Sequence, residues 1–396
     1  MLADDEVRAA LDAIGDALPR RTENTRMSTM GAGSDDLEAG RRYLAAAVAE
    51  GWAVPTWPKR HGGRDADPAD ARTIGRVLRE FAVPDLYPYM IGLGMAGPTL
   101  LQWGTDAQRD LWLRGIANGS EIWCQMFSEP EAGSDLANLG LRAVADGDEW
   151  VLEGQKVWTS RAMWARWGLL LARTDPDVPK HAGLTMFAVD MVAPGVDVRP
   201  LVQMNGDKHF SEVFLADARL PDTWRIGAVG DGWKVAMTVL AHERASAGGE
   251  RGGGEGKVRG ARVPTWLREL RDAGAFSDVV RRDRAMRIHA ADLAGNWTSD
   301  RAAASKEPGP AGSGAKLRKV ASYKGHAYTA KDARGAEGML DDSDGHIDFI
   351  TAPSMSIRGG SDEIQRNILG ERVLGLPGEP RVDRDIPWSQ ARKGVI

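Results

Sequence analysis

The chain of 396 residues has one cysteine, Cys124. A single thiol excludes an internal disulfide and a Cys-rich metal centre, and it suits a reducing compartment, so a cytoplasmic location is expected. Histidine is also sparse. The 7 histidines are scattered, and His242-Glu243 lacks the second histidine of a zinc helix, so no metal is expected. No apolar run reaches the ~18 residues that cross a bilayer, so no membrane span is expected. Met1-Leu-Ala-Asp-Asp-Glu6 has neither the basic start nor the apolar core of a signal peptide. Without such a signal, the literal sequons at Asn118 and Asn296 carry little weight. Charge of one sign is nowhere concentrated. The net charge is −5, with no basic block to hold nucleic acid and no acidic tail.

What is present is a globular composition, 42% hydrophobic and 27% charged, at a length that implies two or three domains. The 14 tryptophans supply large rigid apolar walls, for a core or for a ligand slot. Residues 5 to about 120 read as helical. Leu37, Leu44 and Val48 recur at helical spacing in an Ala-rich stretch to Glu50, and Ile74, Val77, Leu78 and Phe81 repeat the pattern from Ala71 to Phe81. The prolines and glycines of Trp52 to Gly63 demand a loop between them.

Near residue 122 the texture changes. Short apolar or alternating runs at Val151–Trp158, Trp167–Arg173, Gly183–Val189, Val196–Leu201 and Glu212–Leu215 predict strands. From Trp233 to Arg244 the chain is apolar nearly all round, which predicts a buried helix, and further helices are expected over roughly 275–300, 313–335 and 361–374. No internal repeat is visible. An α, then β, then α order implies segregated layers, an α+β fold, with domains at 1–121, 122–226 and 227–396.

Two glycine patterns are set aside. Gly92-Leu-Gly-Met-Ala-Gly97 matches the dinucleotide fingerprint, but Pro84 and Pro88 interrupt the strand that should precede it and Pro98 follows. The run Gly248–Gly256 before Lys257 is not a phosphate loop. Arg251 stands where its first glycine belongs and Val258 where Ser or Thr should hold magnesium, so a flexible loop is expected.

Four segments remain. Trp123-Cys-Gln-Met-Phe-Ser-Glu-Pro-Glu-Ala-Gly-Ser-Asp135 reads, by itself, as a turn between a helix and a strand. Gly154-Gln-Lys-Val-Trp-Thr-Ser160 reads as a strand with a core tryptophan, and Phe210–Pro221 as another strand. The stretch Arg358-Gly-Gly-Ser-Asp-Glu-Ile-Gln-Arg366 predicts a helix start. Ser361 is the cap, Asp362 and Glu363 favour the positive helix end, and Gly375 and Pro377 stop the helix.

In order and spacing these segments resemble the acyl-CoA dehydrogenase family over nearly the whole chain, least in the first thirty residues and in 250–345. The first is similar to that family's T-E-P-x-A-G-S-D signature, the second to G-x-K-x-W-I-T/S, the fourth to E-G-T-x-x-I-Q-R. The resemblance implies a helical N-terminal domain, a β-barrel or β-sandwich, and a C-terminal four-helix bundle. It implies bound FAD. Backbone near Gln125 to Phe127 and the Ser128 hydroxyl would contact the isoalloxazine, Trp158 would pack on it, and Thr159 and Ser160 would lie near its hydride-accepting nitrogen. Ser361 and Glu363 would lie on the cofactor side, and Ser134 near both cofactor and thioester. Such donors are needed where charge develops on flavin reduction. Gly359 and Gly360 would offer bare N–H groups to the thioester carbonyl, with Arg244 on the substrate side.

Gly359 stands where many members of the family carry the catalytic glutamate. A branch of the family instead carries it in a Glu-Arg pair on an inner helix, which Glu243-Arg244 matches. The residues agree. Glu243 follows Trp233, Ala236, Val239 and Leu240 at helical spacing, so it should face the interior. A carboxylate there needs a partner or a role, and burial would suit it to abstract an α-proton. A structural ion pair or a helix-end charge is the plainer alternative. Lys331 replaces a glutamine that in the family binds a neighbouring subunit's FAD. The resemblance therefore implies an acyl-CoA substrate, an electron-transfer flavoprotein as acceptor, and a homo-oligomer (dimer or tetramer) or a heterotetramer with a homologous chain. A partner-dependent or non-catalytic subunit, an acyl-CoA oxidase and a nitroalkane-oxidase-like enzyme are the alternatives. Thr99, Trp103 and Leu240 are candidates for the acyl pocket and equally for plain core.

Overall fold

The computed structural model describes residues 2–21, 36–249, 264–304, 311–340, 344–380 and 383–391, of which 244–249, 299–304, 311 and 344–345 are described by backbone alone. The chain divides into two compact units. The first holds the described parts of Met1–Val202, Lys208–His242 and Val382–Ile396; the second those of Gln203–Asp207 and Glu243–Arg381.

The first unit begins with helices α1 (Asp4–Asp12), α2 (Leu37–Ala49), α3 (Pro68–Val77), α4 (Gly97–Trp103) and α5 (Asp106–Ala117). Side-chain caps set three of the starts. Asp36 accepts from the Ala39 N–H, Asp67 from those of Ala69 and Asp70, and Thr105 and Gln108 form a reciprocal capping box. The periodic residues Leu44, Ile74 and Val77 are buried as their spacing requires. The helical pattern up to Phe81 overshoots. The helix ends at Val77, a tight turn follows over Leu78–Glu80, and Phe81 is extended because its backbone bridges to Arg20. Its ring is still buried, with the Arg20 guanidinium 4.4 Å above it. The fingerprint-like Gly92–Gly97 is helical, a wide turn over Gly92–Ala96 running into α4. A Cβ on Gly97 would lie 2.2 Å from the Trp57 ring, so this glycine permits close packing.

One eight-stranded sheet follows: β1 (Trp123–Met126), β2 (Arg142–Asp146), β3 (Glu149–Ser160), β4 (Trp167–Arg173), β5 (Leu184–Asp190), β6 (Val196–Leu201), β7 (Phe210–Pro221) and β8 (Arg225–Ile226). The strand order is β6-β7-β3-β2-β4-β5-β8, and β1 lies parallel to β4. The β2–β3 hairpin turns at Gly147-Asp148, with Gly147 left-handed, as such tight turns demand. Strand β4 is buried throughout and divides its side chains between two cores. Leu169 and Leu171 join one with Trp112 and Trp123; Leu170 and Ala172 join the other with Phe187 and Val213. The runs that predict strands correspond to β3 through β7.

Helix α6 (Gly232–Gly249) follows the sheet, and its Val235, Ala236 and Val239 complete the tryptophan-lined core. Thr99 is buried and Leu240 packs against that core, while Trp103 donates to Thr238 on α6 at 3.0 Å. The second unit contains α7 (Thr265–Asp272), α8 (Val279–Ala304), α9 (Ala311–Ala333), α10 (Asp344–Thr351) and α11 (Asp362–Arg372). A last short helix, α12 (Trp388–Ala391), belongs to the first unit. Of the glycine-rich run, Gly248 and Gly249 end α6, and 250–263 lie outside the described residues, Arg251, Lys257 and Val258 included. Helices, one sheet and helices again make the fold α+β.

Candidate active site

Strand β1 delivers the signature segment to the edge of β3, and a buried lysine fastens the two. Lys156 has no exposed surface. Its Nζ donates to the Phe127 carbonyl at 2.9 Å and to Glu129 Oε1 at 2.9 Å. Glu129 in turn accepts from the N–H groups of Gly140 (2.7 Å) and Leu141 (2.9 Å), while Val157 N donates to the Ser128 carbonyl at 2.9 Å. Phe127 to Glu129 are thus held at both ends. Burial pushes the Lys156 ammonium down to about 8, with Glu129 working against the shift.

Immediately beyond this lock, β3 loses register with β7 between Lys156 and Thr159. Trp158 sits in that irregularity with φ +58°, a left-handed backbone uncommon for a bulky side chain. Its ring is 58% exposed, while the sheet's Trp123, Trp150 and Trp167 are all at or below 7%. Phe210 supports it edge-on at 5.8 Å. A strained residue holding a large apolar face in the open points to a ligand surface. Gln125, Ser128 and Ser160 are half-buried, Phe127 is buried and Ser134 exposed. Thr159 is fully buried and its Oγ1 has no hydrogen-bond partner, nor has the hydroxyl of its cross-strand neighbour Ser211. A planar aromatic ligand fits this edge, with the Trp158 face and the half-exposed hydroxyls to receive it.

In the second unit the chain turns through two left-handed glycines, Gly359 (φ +66°) and Gly360 (φ +85°), into α11. Ser361 caps the helix, accepting from Ile364 N at 3.3 Å, and Glu363 lies exposed in the first turn. Buried Gln365 folds back so that its Nε2 donates to the Gly359 carbonyl at 3.3 Å. Burial opposes charge on Asp362, but Lys316 Nζ at 2.9 Å and Ser356 Oγ at 2.7 Å outweigh it and hold the carboxyl below its usual range. A Cβ built on Gly359 would have Glu243 Oε1 as its neighbour, at 3.9 Å. The half-buried Glu243 carboxylate therefore faces the position that glycine has vacated. Arg244 follows on α6 with its side chain outside the described residues. Lys331 is engaged locally, its Nζ 3.8 Å from the centre of the Phe349 ring. Among the described residues no group of three His, Cys, Asp or Glu could hold a metal, and no helix is long and apolar enough to cross a membrane.

The Lys156–Glu129 lock was not among the sequence candidates. A signal for it exists, because Trp150 and Leu152 set the inward positions of β3 and Lys156 falls on the same alternation. A cation on an inward position must find a partner. Arg173, buried in β4, is a second case.

The sequence matches the family descriptions acyl-CoA dehydrogenase, N-terminal domain over residues 26–120, middle domain over 124–218 and C-terminal domain over 230–374. It is 37% identical over 362 residues to acyl-CoA dehydrogenase IpdE1 of Mycobacterium tuberculosis, covering 88% of this chain and 90% of that protein. It is 38% identical over 359 residues to acyl-CoA dehydrogenase FadE34 of the same organism, covering 85% of this chain and 48% of FadE34, so it spans about half the length of that relative. The solved ChsE4–ChsE5 complex from Mycobacterium tuberculosis matches with a TM-score of 0.71 at 26% identity, over 95% of this chain and 97% of that one. The Tcur3481–Tcur3483 steroid acyl-CoA dehydrogenase matches with the same TM-score, identity and coverage. The chain belongs to the acyl-CoA dehydrogenase family of oxidoreductases.

Proposed function

We propose that the chain removes one hydrogen from each of the α and β carbons of an acyl-CoA thioester, giving the trans-2-enoyl-CoA. The observation that carries this reading is the carboxylate of Glu243 facing Gly359, 3.9 Å from where a Cβ would stand. A glycine in place of the usual base is explained if the base arrives from another element. Glu243 takes the α-proton. The left-handed pair Gly359–Gly360 exposes backbone N–H groups with no Cβ beside them, and these donate to the thioester carbonyl, making the α-C–H more acidic. Trp158 and Ser160 would receive the flavin face, and the segment pinned by Lys156 would present its backbone and the Ser128 hydroxyl to the ring. FAD, when bound, would supply the two-electron acceptor for the β-hydrogen. An electron-transfer flavoprotein would be the onward acceptor, in the reducing cytoplasm that a single buried thiol suits.

A second reading has its own support. Two of the similar solved structures are named as paired chains, one of them a steroid acyl-CoA dehydrogenase. Lys331 is committed to the Phe349 ring where the family's glutamine would reach a neighbour's cofactor. We therefore extend the proposal to assembly with a homologous chain and to a bulky, steroid-type acyl group.

The test is an anaerobic visible spectrum of the chain purified alone, then with a homologous partner, before and after a panel of straight, branched and steroid acyl-CoAs. Bleaching of a bound flavin supports desaturation, and the panel ranks substrates. Flavin that appears only with the partner supports the paired reading. A flavin that no thioester bleaches overturns the proposed reaction, and steady peroxide release in air would make the protein an oxidase.

A further inference from the structure

The family match ends at residue 374, yet the described residues 383–391 return to the first unit and make a dense set of contacts there. The Trp388 indole Nε1 donates to Asn138 Oδ1 at 2.9 Å and reaches its carbonyl at 3.3 Å. Trp388 N donates to the Val178 carbonyl and Ser389 N to that of Pro176, both at 2.9 Å. The Trp388 ring lies 4.5 Å from the Arg173 guanidinium. Arg173 is 2% exposed and donates to the carbonyls of Ala137 (2.6 Å), Leu139 (3.1 Å) and Lys180 (2.7 Å). On the rim, Lys180 Nζ bonds both oxygens of Asp135 at 3.0 Å and Asp383 at 2.6 Å.

These contacts converge on one feature. Asp135, Ala137, Asn138 and Leu139 form the turn that closes the signature segment, directly after Ser134. Ala137 and Leu139 are buried, but Ser134 is exposed and Asp135 half-exposed, so the start of the turn has little burial of its own. A rim pair whose Asp135 carboxylate is half-exposed by itself adds about 1 kcal/mol. The covering indole changes that. It shields the cation that grips three carbonyls, and it adds a donor to the turn.

We propose that residues 383–391 act as a positioning strap for the signature turn, with Trp388 and Asp383 as positioning residues that hold Ser134 in place for FAD. The inference rests on the flavoprotein reading above. The strap does not touch the reacting atoms; it fixes the backbone that does, where a misplacement of about 1 Å is enough to weaken function a hundredfold.

The experiment uses the full chain and three variants, Trp388→Ala, Trp388→Phe and Asp383→Asn. Two quantities are read: amide hydrogen exchange at 133–140, and the dissociation constant for FAD from titration of the flavin-free protein. Trp388→Ala should speed exchange at 133–140 while leaving α8 and α9 unchanged, and should weaken FAD binding roughly tenfold, a change of about 1.4 kcal/mol. Trp388→Phe keeps a ring over Arg173 and loses only the N–H donor, so it should fall between. Asp383→Asn should have the smallest effect. Unchanged exchange at 133–140 overturns the strap. Faster exchange with unaltered FAD affinity overturns its functional role and leaves the flavoprotein reading standing. A wild-type chain that binds no FAD, alone or with a homologous partner, while the exchange pattern appears overturns the flavoprotein reading, and with it the functional role. If Trp388→Ala does not fold, the other two variants carry the same comparison.

Discussion

The two regions that carry the proposed chemistry position their backbones by opposite means. Along the sheet, the signature segment is gripped by side chains. Lys156 and Arg173, both buried cations, donate to carbonyls of Phe127, Ala137 and Leu139, and Glu129 ties the segment to Gly140 and Leu141. In the helical unit, side chains have been withdrawn. Gly359 and Gly360 carry the turn into α11 with left-handed backbones, and Glu243 faces the opening. Buried charge gives rigidity at a desolvation cost, while paired glycines give access at an entropic cost. A ligand edge that must stay planar suits the first, and a substrate thioester that must reach bare N–H groups suits the second.

The largest expected effect lies at the glycine end. Glu243→Gln keeps the shape and removes the base. The rate of substrate reduction of the flavin, followed by stopped flow, should drop ~10²–10⁴-fold, with flavin content and melting temperature unchanged. A variant that still turns over at the wild-type rate would place the base elsewhere and dissolve the functional half of the contrast. Next comes Lys156→Met, which strands Glu129 in a buried site. It should cost about 3 kcal/mol of unfolding free energy by chemical denaturation and loosen FAD, because the Phe127–Glu129 segment loses its fastening. A smaller pair sharpens the glycine side. Gly360→Ala forces a left-handed alanine and puts a Cβ 2.5 Å from the Gln365 amide, so it should cost about 2–3 kcal/mol. Gly359→Ala meets open space except for Glu243, so its cost should be the backbone strain alone, about 1–2 kcal/mol. Equal losses would show that Gln365 does not hold this turn.

Much of this is legible in the sequence. Strand alternation placed β3 to β7, helical spacing turned Glu243 toward the α6 side that bears Ala236 and Val239, and the Ser361 cap marked the start of α11. Local chemistry decides such features, so local sequence reports them. Strands β1 and β2 escaped notice because one is short and embedded in a Gly/Pro-rich motif and the other is mostly exposed. The Gly147-Asp148 turn is the available clue to the second. Helices α7 and α10 have eight residues each, too few for a firm period. The contact between Trp388 and Asn138 joins residues 250 apart, and no periodicity or motif announces it. From its residues alone Trp158 reads as core, and only the resemblance sets it against a flavin; the register shift that turns it outward is a property of the pairing with β7.

The last expected effect separates the two positioning devices by pH. Glycine turns carry no proton, whereas Lys156 does. Its pKa falls from 10.5 in the unfolded chain to about 8 in the fold, chiefly through burial, with Glu129 opposing and Arg173 adding to the shift. At pH 7 the ammonium is charged in both states, and the full cost of burying it is present. Between about 8 and 10.5 the folded protein has released the proton while the unfolded chain still holds it, so wild-type stability gains up to about 1.4 kcal/mol per pH unit from this group. The neutral amine can still donate to the Phe127 carbonyl, so the lock survives the change. Lys156→Met lacks the linkage. The gap in unfolding free energy between wild type and variant should therefore widen from pH 7 to pH 10, measured by denaturant titration at several pH values. A constant gap would mean that water reaches Lys156 and that the lock is no drier than the glycine turn it is contrasted with.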